Sequence, residues 1–313
     1  MDRDRRKVFK AVAEGGGAML ASGFLGAIAN ELFNTIYKPK EVGEAEKEAL
    51  GVLFGESDAL PSLYAGEGNI LARAKGLKGI SKYLGYSAEQ FSSYIGRAFK
   101  AEFNLLNNNG GEVFSYDTKK DSLFLGGAAA NDITSGLLGY KEKEMTVGND
   151  VVLFPTADRA NTVTRWVQLY GETGYGIYNG KQQLARRYSA RTGKEVERPI
   201  YKILDKKTGK TLEPIIENDF LMSEWLTIVR IRDAFSTKVI IGGMHGYSTE
   251  AFCRNISVNL ERLSSVVGTK EQYQVIVPVT LSHKLNRLSK LYTVGDIDWK
   301  NAKAHEIYAQ VIN

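Results

Sequence analysis

Hydrophobic and polar positions along the chain follow two regimes. Up to about residue 115 they recur at helical spacing. Glu41 to Phe54 repeats that way with a charged face left for solvent, and Ser87-Ala88-Glu89-Gln90 has the form of a capping box. Behind it Phe91, Ile95, Phe99 and Phe103 stand four residues apart, which predicts a helix with one apolar stripe. Asn107 to Gly111, residues tolerant of positive φ, is the expected stop and marks a boundary near residue 115. Beyond it the period changes to short apolar runs of buried-strand length. These are Ser122 to Leu125, Val151 to Phe154 before a turn at Pro155 to Asp158, Trp225 to Ile231, Lys238 to Ile241 and Gln274 to Val279. Helical stretches are expected from the Asn131 to Thr134 region and over 249–264 and 282–292. Alternation of this kind predicts an α/β class, a Rossmann-like layered domain with a mainly parallel sheet, a mixed sheet being the other arrangement. The expected organisation is 1–40, 41–115 as a helical region, and 116–313 as the α/β domain.

The N-terminus breaks both regimes. Arg3, Arg5, Arg6, Lys7 and Lys10 precede an apolar run, Ala11 to Tyr37, whose charges are Glu14 and Glu31. Its uncharged core, Gly15 to Asn30, is 16 residues, short of the roughly 20 that span a bilayer. Three readings follow. Arg5-Arg6-Lys7-Val8-Phe9-Lys10 with Ala27-Ile28-Ala29 resembles an exported twin-arginine signal and its cleavage site. Small residues at Gly15, Gly23, Gly26 and Ala29 suit close helix association in lipid, beside a basic flank drawn to anionic headgroups. The segment also reads as a glycine-rich helix buried in a core or an oligomer.

Composition excludes disorder and collagen: of 313 residues 43% are hydrophobic and 25% charged. A single Cys rules out an intramolecular disulfide, and three scattered His with one Cys make no usual zinc pattern, so no metal is expected. Net charge is +5, but it is concentrated. Residues 181–210 hold Lys181, Arg186, Arg187, Arg191, Lys194, Arg198, Lys202, Lys206, Lys207 and Lys210 against Glu195, Glu197 and Asp205. That local surplus exceeds the whole chain's. Turn signals at Arg191-Thr192-Gly193-Lys194 and Lys207-Thr208-Gly209-Lys210 predict basic β-hairpins inserted at about 181–212. Such a surface contacts phosphates of lipid or nucleic acid, or it keeps edge strands soluble.

Candidate chemistry lies in two glycine loops. Gly126-Gly127, with Asn131 nearby, follows one strand, and Gly242-Gly243-Met244-His245-Gly246-Tyr247-Ser248-Thr249-Glu250 follows another. Open α/β sheets bind ligands beyond strand ends of this kind, where backbone N–H groups and a helix dipole favour an anion. The expected ligand contacts are Gly126, Gly127, Asn131, Gly242, Gly243, His245, Gly246, Ser248 and Thr249. Neither loop has the G-x-G-x-x-G or Walker spacing, and no cofactor is expected. Ser248 or Thr249 is the expected helix N-cap. His245, which titrates near neutrality, is the candidate acid or base, with Glu250 and Ser248 beside it in sequence. Sequence supplies no local triad partner, and Cys253, between Phe252 and Ile256, reads as core.

Ser122-Leu123-Phe124-Leu125-Gly126-Gly127 with Asn131, followed by Val239 to Ala251, resembles an uncharacterised group of prokaryotic α/β proteins. With the N-terminal segment, the layout is similar to single-helix membrane effectors of prokaryotic antiviral defence, including those associated with short Argonaute proteins. The resemblance covers roughly residues 120–260. It implies a soluble sensing or docking domain whose output is membrane damage, and this chain departs from it in a short apolar segment containing Glu14. The leading expectation is accordingly a cytoplasmic, membrane-associated effector or sensor. It places anionic lipid against Arg5, Arg6, Lys7 and Lys10 and a protein partner, homo-oligomer or anionic ligand on the α/β domain. The alternatives are a soluble or exported hydrolase of a phosphorylated small molecule or nucleotide using His245, and a nucleic-acid-binding subunit using the 181–210 hairpins.

Overall fold

The computed structural model describes residues 42–65, 82–100, 106–107, 119–127, 134, 137, 141–147, 150–156, 167–170, 175–177, 183–188, 194–200, 202–205, 207–232, 234–285 and 292–311. The N-terminal segment 1–40, with Arg5, Arg6, Lys7 and Lys10, lies outside them, as do Asn131, Lys181, Arg191 and Lys206. Among the described residues no helix is long and apolar enough to cross a membrane.

Helix α1 (Val42–Phe54) leads into strand β1 (Ser62–Ala65), and helix α2 (Lys82–Phe99) carries the chain to strand β2 (Leu106–Asn107), which pairs with β1 in parallel. Strand β3 (Ser122–Leu125) then returns to the other side of β1, again in parallel. The break expected near residue 115 therefore falls inside one sheet, because 62–65 and 106–107 are strands of it. Residues 46–313 cluster as one compact unit. Helix α2 also corrects its predicted ends. Ser87 is buried in its middle rather than capping it, and the turn out of it is taken by Lys100, at φ 52, not by the Asn107 to Gly111 run.

After β3 the chain builds several small, mostly antiparallel sheets. Strands β4 (Lys141–Val147) and β5 (Asp150–Thr156) form a hairpin. Strand β6 (Val167–Tyr170) pairs with the last strand of the chain, and β7 (Tyr175–Ile177) begins a three-stranded sheet. The basic stretch forms the two predicted hairpins. The first is β8 (Gln183–Tyr188) with β9 (Glu195–Ile200), and the second is β10 (Ile203–Asp205) with β11 (Thr211–Leu212). Two short strands, β12 (Ile216–Glu217) and β13 (Phe220–Leu221), complete the sheet of β8 and β9.

The main sheet resumes with β14 (Ser223–Arg232) and β15 (Thr237–Gly243). Only four residues join them, too few for a crossover, so the pair is antiparallel. Helices α3 (Gly246–Arg254) and α4 (Ile256–Val267) follow, then β16 (Tyr273–Leu285), β17 (Tyr292–Ile297), β18 (Lys303–Glu306) and β19 (Tyr308–Val311). Strand order is β17-β16-β14-β15-β3-β1-β2, with β18 also on β16. The sheet is mixed: β15, β3, β1 and β2 are mutually parallel, and every pairing of β14 and β16 is antiparallel. This corrects the mainly parallel expectation. The helix expected over 282–292 is also replaced, since Ser282 to Leu285 extend β16.

Alternation along β14 divides the core. Leu226 and Ile228 join Val239, Ile241, Val275 and Val277 beneath α2, α3 and α4, where Phe91 stacks on Phe252 at 6.2 Å between ring centroids. Trp225 and Ile276, on the opposite face, pack with Tyr175 and Ile203 of the inserted sheet. The Gln274 side chain joins the two, accepting from Tyr175 N–H at 2.7 Å and donating to its carbonyl at 2.9 Å.

Candidate functional site

The parallel strands β3 and β15 end side by side, and both glycine pairs sit there. Gly126, at φ +106, donates its N–H to the Ile241 carbonyl at 3.0 Å. A Cβ on Gly242 would lie 2.6 Å from Gly127 N, and one on Gly127 would lie 2.8 Å from the Gly243 oxygen. A Cβ on Gly243 would lie 2.4 Å from Ser248 Cβ. These glycines thus allow backbone to meet backbone, and α3 to start directly against the strand end. The loop's amides are largely spent in this packing. Gly243 N–H donates to Thr249 Oγ1 at 2.9 Å, Met244 N–H to the Trp225 carbonyl at 3.0 Å, and Ser248 N–H to the His245 carbonyl at 3.2 Å. The N-cap is His245 rather than Ser248 or Thr249, which belong to the helix itself.

What gathers at the strand ends is a side-chain cluster around Glu224. Its position near the start of β14, antiparallel to β15, brings it to the edge where β15 ends. The residue is only 2% exposed. One carboxylate oxygen accepts from Ser248 Oγ and, at 3.1 Å, from the His245 backbone N–H; the other meets His245 Nδ1. Burying a carboxylate is costly unless donors surround it, and here three donors and the positive end of α3 do so. By holding Nδ1–H, the carboxylate selects the tautomer in which His245 Nε2 is the basic nitrogen. An imidazole oriented this way is equipped to exchange protons. The His245 side chain is 11% exposed, and its ring lies 5.4 Å from that of Tyr247.

The other candidates separate. Glu250, buried, is drawn away from His245 into an ion pair with Arg254 at 2.8 Å; burial raises its carboxyl above the ordinary value while Arg254 lowers it. Cys253 is wholly buried, and burial pushes its thiol up, which removes it as a nucleophile. Within the basic hairpins, Arg186 pairs with Glu195 at 3.3 Å, donates to the Asn218 carbonyl at 2.7 Å and covers the Phe220 ring. Lys202 pairs with Glu213 at 2.7 Å. Lys194, Lys207 and Lys210 are exposed, and Arg198 lies on β9. Arg187 reaches α3, its guanidinium carbon 5.9 Å from the centre of the Tyr247 ring. Among the described residues no three His, Cys, Asp or Glu side chains gather as a metal site.

Glu224 is the residue sequence reasoning missed. It stands 21 positions before His245, and its one signal is a carboxylate immediately ahead of the apolar run that starts at Trp225. No family model, curated protein or solved structure matches the chain.

Proposed function

We propose that this chain binds a small phosphorylated molecule at the carboxyl edge of its parallel strands and hydrolyses it with His245 as the proton-transfer residue. The observation that carries the reading is the buried Glu224 carboxylate holding His245 Nδ1 beside the ends of β3 and β15. Support also comes from topology. The chain leaves β1 toward β2 and later returns across β1 to β3, so the crevice between β1 and β3, one strand over from the β15 end that carries His245, is a switch point of the kind where α/β sheets receive ligands. In the proposed step His245 Nε2 takes a proton from water as the water oxygen bonds to phosphorus. The ester oxygen leaves and receives that proton, giving an alcohol and inorganic phosphate. Glu224 is a positioning residue that holds the ring and stabilises it while charged. The membrane-effector reading rests on residues 1–40, outside the described part, and remains a separate proposal for the N-terminal segment.

The test is release of nitrophenol from p-nitrophenyl phosphate and its diester, with a nucleotide panel followed by phosphate release, on the full chain. His245→Ala should lower turnover by about 10²–10⁴-fold, the usual worth of a positioned acid or base, with the melting temperature retained. Glu224→Gln should lower it too and alter its pH profile, which a carboxylate serving only as a helix cap would not do. Turnover by His245→Ala within about threefold of wild type would reject the role.

A further inference from the structure

The inserted basic hairpins place one arginine where the main-sheet site needs a cation. Strand β8 carries Arg186 and Arg187 in succession, so their side chains leave opposite faces. Arg186 has its terminal nitrogens on Glu195 and the Asn218 carbonyl and its plane over the Phe220 ring, although its Nε lacks an acceptor among the described residues. Arg187 is partly buried and lies over Tyr247, whose ring also lies 5.4 Å from that of His245. Guanidinium, phenol and imidazole thus follow one another across the start of α3. Two carboxylates near this row among the described residues are already engaged: Glu224 by His245 and Ser248, and Glu250 by Arg254. Arg187 Nε is buried without an acceptor among the described residues. A buried guanidinium N–H one aromatic ring away from a basic imidazole calls for an anionic acceptor, and its planar fork matches a phosphate group.

We propose that Arg187 is the anion-binding arm of the Glu224–His245 site, holding a phosphate group of the ligand against the Tyr247 side of the imidazole. This rests on the reading above that the site takes a phosphorylated molecule, and adds the residue that selects for the phosphate. The β8–β9 hairpin is then a specificity element reaching over the main sheet. Its charge serves a small ligand through Arg187, and Lys207 and Lys210 at the neighbouring turn take no part.

The experiment is titration of the full-length protein with inorganic phosphate and pyrophosphate by calorimetry, using wild type, Arg187→Ala, Arg187→Lys, His245→Ala and Lys210→Ala. Wild type should bind, Arg187→Ala should bind at least about tenfold more weakly, and Lys210→Ala should stay within about twofold. Arg187→Lys keeps the charge and guards against misfolding. It should retain the melting temperature and recover part of the affinity, because an ammonium lacks the bidentate fork. Unchanged phosphate affinity in Arg187→Ala, or no binding by wild type, overturns the proposal. The two proposals fail separately. Arg187-dependent binding without ester turnover would leave the arm standing and remove the hydrolase. Turnover that needs His245 but keeps its KM in Arg187→Ala would do the reverse.

Discussion

Replacing Gly242 by Ala tests the geometry on which the site depends. The added Cβ would stand 2.6 Å from Gly127 N and 2.8 Å from both Gly126 C and Gly127 Cα, where ordinary contact begins at 3.4 Å. All three obstacles are backbone, so no rotamer change relieves them. Either the end of β3 moves away from β15, straining the 3.0 Å bond from Gly126 N–H to the Ile241 carbonyl, or β15 itself bends. Overpacking of this kind costs about 3 kcal/mol at the upper end of its usual range. For a domain of this size that lowers the melting temperature by roughly 6–12 °C. The control is Gly51→Ala in α1, where a Cβ meets nothing within 4 Å. Ala is favoured over Gly inside a helix by about 0.5–1 kcal/mol, so that variant should melt roughly 1–4 °C higher. Circular dichroism melts of the full chain read both. A Gly242→Ala protein melting within about 2 °C of wild type would refute the close approach of the two glycine loops.

Two further outcomes follow from buried groups. Cys253, enclosed between α2 and the sheet with its thiol pushed up by burial, should resist aromatic disulfide reagents in the native protein and react on unfolding; rapid native labelling would contradict its placement. Burial, aided by Asp205, pushes the Tyr175 phenol up to about 12 from an ordinary value of 10.0. The neutral phenol is therefore favoured in the folded state, so its contribution is complete below pH 10 and is lost as pH rises through 12. Ultraviolet titration of wild type against Tyr175→Phe should show the loss of one late-ionising tyrosine, and the Phe variant should lose less stability over that window. An unchanged titration curve would count against it.

Legibility differed between features for physical reasons. The two basic hairpins were legible because a hairpin turn is local: Thr-Gly-Lys signals at 192–194 and 208–210 separate strands that pair with each other. The buried runs of β3, β14 and β15 were legible from apolar character alone. Their direction was misread, although four residues between β14 and β15 already exclude a parallel crossover. The capping-box motif at Ser87 misled because its spacing also fits a helix interior, and burial against Cys253 decided the matter. Glu250 attracted notice as a neighbour of His245 in sequence, yet one helical turn on stands Arg254, a stronger partner for it.

By itself, the sequence determined what depends on near neighbours. Several strand and helix segments follow from periodicity, the hairpin turns from glycine, and a histidine was placed on a glycine loop at a strand end. Tertiary structure decided what depends on pairing across the sheet. The antiparallel register of β14 against β15 carries Glu224 to His245. The folding of the insertion over the sheet carries Arg187 to Tyr247. Both meetings join residues tens of positions apart through contacts made only once the chain is closed into a sheet, and no local spacing encodes them.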